Sequence, residues 1–154
     1  MFGRCKSLSS LNLNNFITSK VTDMTGLFYG CNSLISLSLD NFDTSNVNNM
    51  SYLFKGCSSL ISLNINKLKT SKVTNMESMF DGCSSLTSLN LYNFNTSLVT
   101  TMRRMFNSCS SLKTIKLSSF DTSNVRYMDY MFNGTNLLTS LDISNFNTTI
   151  VYNM

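Results

Sequence analysis

The chain has 154 residues, enough for one domain with its own core, and only 13% of them are charged. Twelve Lys/Arg against eight Asp/Glu leave a net charge of +4, spread thinly and with Arg103-Arg104 the one basic pair, which argues against a nucleic-acid partner. His is absent, which removes the commonest general base and metal ligand, no apolar run nears the roughly 18 residues of a membrane-spanning helix, and the opening MFGRCKSLSS lacks a secretory layout.

Set against itself, the chain repeats every 26 residues without insertion or deletion. Units begin at Cys5, Cys31, Cys57, Cys83, Cys109 and Thr135, and positions 1 to 26 are counted from these residues. All ten Met fall at positions 20 and 23, and all eleven Phe at positions 12 and 24. A Leu column (Leu8 to Leu138) and a Val column (Val21 to Val151) run through every unit. The expected fold is an α/β solenoid: residues 1–154 form one array of six stacked coils, with a parallel sheet on one face and short helices or turns on the other. Both ends fall inside a unit and no polar capping repeat is visible.

Within a unit, the first element is a strand. Ser33 to Leu39 alternates Leu37-x-Leu39 over a short stretch, while its Ser residues compete with a helical backbone. A corner follows at FDTSNV (residues 42–47), repeated as FDTSNV (120–125), FNTSLV (94–99) and FNTTIV (146–151). Val47, Met50, Leu53 and Phe54 then share one apolar face, which suits either a short helix or successive tight turns, and Thr44 or Ser45 sits where an N-cap oxygen would accept an amide. Gly30, Gly56, Gly82 and Gly134 close their units, where tolerance of positive φ turns the chain into the next strand.

The unit C-x-S-L-x-S-L-x-L followed by F-x-T-S-x-V-x-x-M-x-x-[LM]-F-x-G resembles the 26-residue repeat of bacterial surface proteins related to the BspA-like leucine-rich repeats. The resemblance covers the whole chain. It implies a leucine-rich-repeat-like solenoid displayed on the cell surface or secreted, associated with adhesion and protein binding. It brings no catalytic residues.

The column Cys5, Cys31, Cys57, Cys83 and Cys109 reads as a structural ladder of buried thiols. Equivalent residues of neighbouring coils stand close enough for a disulfide, but parallel neighbours point the same way. No C-x-x-C spacing marks a metal site, and no cofactor is expected. The Thr-Ser pair at positions 14 and 15 makes a regular hydroxyl array suited to ordering water, but capping or corner hydrogen bonding accounts for it more simply.

Outward strand positions form the candidate binding face: Ser36, Ser38, Ser62, Asn64, Ser88, Asn90, Thr114, Lys116, Ser140 and Asp142, with Tyr92 and Lys113 beside them. Asp40, Asp43, Asp121 and Asp142 have no partnered His, and no nucleotide-binding glycine motif occurs, so the chain reads as non-enzymatic. The expected function is adhesion through the sheet face to a protein or glycoprotein, with no membrane insertion by this segment. The alternative is a structural filament of solenoids stacked end to end.

Overall fold

A computed structural model describes all of residues 1–154. Four short strands lie at positions 6 to 8 of the second to fifth coils: β1 (Ser36–Ser38), β2 (Ser62–Asn64), β3 (Ser88–Leu89) and β4 (Thr114–Ile115). β1 pairs in parallel with β2, Ser36 opposite Ser62, and β3 with β4, Ser88 opposite Thr114. Each residue therefore faces its equivalent one repeat later, and the sequence period is the coil. The strands stop early for a local reason. In the first, third and fourth coils the position-8 Asn accepts the position-10 amide through its side chain, at 3.0 Å for Asn12, 3.3 Å for Asn64 and 3.1 Å for Asn90, which turns the backbone out of the ladder.

The other side of the coil, positions 18 to 26, contains no helix. The spacing of Val47, Met50, Leu53 and Phe54 belongs instead to successive turns, in which Leu53 N–H donates to the Met50 carbonyl, Lys55 to Tyr52 and Cys57 to Phe54. Two residues per coil lie in the left-handed region: position 26, as at Gly56 (φ 74°), and position 22, as at Tyr52 (φ 59°). A positive φ at the third residue of a tight turn is what a type II turn requires, and it ends any helix. At position 26 glycine carries no steric cost, and an added Cβ on Gly56 would stand 3.5 Å from the Gly30 Cα.

Left-handed residues are tolerated here because of what the amides gain. Those of Met50, Tyr52, Phe54 and Gly56 donate to the carbonyls of Asn75, Glu77, Met79 and Asp81 in the next coil, at 3.0, 2.8, 2.9 and 2.7 Å. Position 19 forms parallel bridges through every coil, from Asp23 to Asn153. The turn side is thus the more continuous of the two ladders.

Between the two sides lies a single cluster of 36 buried apolar residues. Its spine is the position-24 column, where Phe2, Phe28, Phe54, Phe80, Phe106 and Phe132 stack at centroid spacings of 5.6 to 5.7 Å. Ring offset at that spacing adds about 0.5–1.5 kcal/mol per pair beyond area burial. No helix is long and apolar enough to cross a membrane.

Candidate interaction surface

Two columns named from sequence turn out to be structural. The position-14 threonines of the first five coils are buried and act between coils rather than as helix caps. The Thr44 hydroxyl donates to the Lys69 carbonyl (2.9 Å) and accepts the Lys69 amide (2.7 Å). Thr70, Thr96 and Thr122 do the same to Asn95, Asp121 and Asn147. Hydroxyls committed in this way offer no array for ordering water.

Four cysteines, Cys31, Cys57, Cys83 and Cys109, are buried free thiols, whereas Cys5 is exposed. Each buried Sγ donates to the phenylalanine carbonyl 29 residues earlier, as Cys57 does to Phe28 at 3.1 Å. Burial pushes the Cys57 and Cys109 thiols up to about 12 and Cys83 well above its ordinary value, so they stay protonated at neutral pH.

The strand face is assembled as the repeat implies. Ser36, Ser38, Ser62, Ser88, Asn90, Thr114, Lys116, Lys113, Ser140 and Asp142 are exposed, and Asn64 is half-buried, its amide donating to Asp40 Oδ2 at 2.6 Å. The structure draws Ser88, Asn90, Tyr92, Thr114 and Lys116 together around a shallow cleft of about 440 Å³ between the fourth and fifth coils. Tyr92 projects beside it, 75% exposed. The remaining positions lie along the same column outside the cleft. Two apolar residues escaped notice in the sequence: Ile35 and Ile61 at position 5 are 52% and 60% exposed and stand in adjacent coils. Their position varies from Ser to Lys between units, so no core column is broken by exposing them.

Of the four acidic residues weighed as chemical groups, Asp40 accepts across coils from Asn64 and the other three serve as turn acceptors. Asp43 Oδ1 accepts the Ser45 amide at 3.1 Å, Asp142 Oδ1 accepts that of Ser144 at 3.0 Å, and Asp121 Oδ1 accepts both the Ser123 amide (2.9 Å) and hydroxyl (2.6 Å). These bonds favour the ionised form and hold all three carboxyls below their ordinary value.

The turn side carries a second polar surface that the strand-centred reading missed. Asp81 is buried and accepts from Lys55 (2.8 Å), Ser78 (3.3 Å) and Asn107 (2.7 Å), and Asn133 continues the ladder to Asn107 at 2.8 Å. The Tyr52 hydroxyl donates to Glu77 at 2.8 Å, and burial together with that carboxylate raises the phenol above its ordinary value. In the fourth and fifth coils Arg103 Nε meets Asp129 Oδ2 at 2.6 Å, and the Arg104 guanidinium lies 5.1 Å from the Tyr130 ring centre. Ser78 and Asp81 apart, only the coil geometry gathers these residues, because the partners stand 25 or 26 apart in sequence.

Stacked coils of 26 residues, joined by short parallel strands over a leucine and phenylalanine core, define a leucine-rich-repeat-like protein. The chain belongs to the family described as "Mycoplasma protein of unknown function, DUF285", which matches over residues 1–91 and 83–154. Among solved structures it is similar to a leucine-rich repeat protein from Eubacterium ventriosum, at 27% identity and a TM-score of 0.52, covering 82% of this chain and 31% of that one. It is also similar to a leucine-rich repeat protein from Bacteroides ovatus, at 25% identity and a TM-score of 0.45, covering 79% and 34%. The chain thus spans about a third of either protein's length. No curated protein matches it.

Proposed function

We propose that the chain is a non-enzymatic binding module of the BspA-like kind, displayed on the cell surface or secreted, which adheres to protein or glycoprotein through its strand face. The observation that carries this reading is the cleft beside Tyr92 and Lys116. It is built on paired strands, lies between two coils that each have neighbours on both sides, and presents an exposed ring next to a cation and two carboxamide- or hydroxyl-bearing rows. Tyrosine supplies large contact area at low entropic cost, and a rigid repeat array lowers the ordering cost of binding further. Ile35 and Ile61 extend the face with apolar surface.

The test is adhesion of fluorescent beads bearing the chain to cultured epithelial cells. Replacing Tyr92→Ala with Lys116→Ala lowers retention several-fold, and trypsin treatment of the cells removes it. Equal retention of wild type and variant would sink the assignment of this face. The alternative reading, a filament of stacked solenoids, draws on the equivalence of the coils, each of which offers its successor the same hydrogen bonds. A molar mass independent of concentration in light scattering would remove it.

A further inference from the structure

We infer that the turn side of the fourth and fifth coils is a second docking surface, shaped for an acidic segment of an extended polypeptide. The chain has four arginines, Arg4, Arg103, Arg104 and Arg126, and three of them stand here at positions 18, 21 and 22. Tyr127 and Tyr130 stand with them, both exposed. Arg103, Arg104, Arg126 and Tyr127 each have a coil stacked on either side, so their exposure belongs to the face itself.

The three guanidinium groups are not equivalent. Arg103 is committed to Asp129, a buried carboxylate that fixes its direction. Arg104 rests on the Tyr130 ring at 5.1 Å, which orients the planar group and leaves its N–H edge free. Neither Arg104 nor Arg126 has a carboxylate partner within the chain. Arg104, held on an aromatic ring, and Arg126, exposed and unpaired in the next coil, each present a fork that matches a carboxylate bidentately, and the exposed tyrosines offer apolar contact for the intervening residues.

Charge decides between a peptide and a long polyanion. Position 21 changes from Arg103 to Glu77 one coil earlier and to Asp129 one coil later, so the positive strip is short and bounded by carboxylates. A nucleic acid or sulfated glycan needs a line of cations along its backbone, and here it would meet Glu77 within one coil. A peptide carrying two or three acidic residues fits within the strip.

The experiment pans phage-displayed random dodecapeptides on the intact chain, followed by anisotropy titration of the selected peptides. Selected sequences are expected to be enriched in Asp and Glu next to apolar residues, and to bind the Arg104→Gln, Arg126→Gln variant at least tenfold more weakly. Arg104→Lys keeps the charge but loses the fork, and gives an intermediate loss. The Tyr92→Ala, Lys116→Ala variant binds these peptides as wild type does, which separates this surface from the strand face; circular dichroism melts confirm that each variant folds. The inference is overturned if no acidic enrichment emerges, if selected peptides bind the arginine variant equally well, or if heparin is retained through the same residues while no acidic peptide is.

Discussion

Replacing Thr96→Val tests whether the position-14 threonines hold neighbouring coils together. The hydroxyl of this buried residue donates to the Asp121 carbonyl and accepts the Asp121 amide, both at 2.8 Å, and valine preserves the shape while deleting both bonds. Asp121 itself is exposed, so water reaches the orphaned groups and the loss stays near the net worth of a hydrogen bond, about 1 kcal/mol each and about 2 kcal/mol together. For a chain of this size that corresponds to a melting shift of about 4–8 °C, read by circular dichroism alongside a urea titration. Thr96→Asp distinguishes the alternative: aspartate equals threonine as a helix cap, but an ionised carboxylate cannot donate to the Asp121 carbonyl, so it is expected to cost more than valine. A valine variant within about 0.5 kcal/mol of wild type, or an aspartate variant as stable as wild type, refutes the inter-coil role.

Three further outcomes follow from the columns. With a thiol reagent at neutral pH, Cys5 reacts at once and the four buried cysteines only as fast as the array opens. The Cys57 thiol, at about 12 in the fold, ionises near 9 once exposed; stability is therefore full below pH 9 and falls as pH climbs towards 12. Cys57→Ala flattens that alkaline decline in urea midpoints, and an unchanged slope contradicts it. At position 26 Ser108 holds φ at 57° where four coils use glycine, and its hydroxyl makes no hydrogen bond, so Ser108→Gly raises stability by about 0.5–1 kcal/mol in the same titration. A fall instead would show that no strain is held there.

The coil, its core columns and its strand were legible because buried positions tolerate few residue types and therefore repeat visibly. Position 22 was not. Gly26 hints at a left-handed turn, but Tyr52, Ser78, Arg104 and Tyr130 adopt the same φ, and nothing in their chemistry announces it. The inter-coil hydrogen bond, a term that no local pattern contains, outweighs their local preference. Of the two forms that the apolar spacing allowed, short helix or successive turns, the turns prevail for the same reason. The apolar spacing was real, but the amides that a helix would satisfy internally are claimed by the next coil. The strand face was found because exposed positions alternate with buried ones along one segment. The arginine and tyrosine cluster was missed because it is assembled from two coils, and only stacking makes neighbours of Arg103 and Asp129.

On the turn side, the peptide units joining positions 19–20, 21–22, 23–24 and 25–26 all point the same way, carbonyl to the preceding coil and amide to the following one. Donors and acceptors therefore match at every junction whichever two coils meet. Loss or duplication of a whole unit leaves each backbone bond with a partner, whereas insertion of a single residue breaks the register on both sides of the core. Lineages carrying such a gene are free to vary the length of the array in steps of one coil, and selection on its length can act separately from selection on its fold.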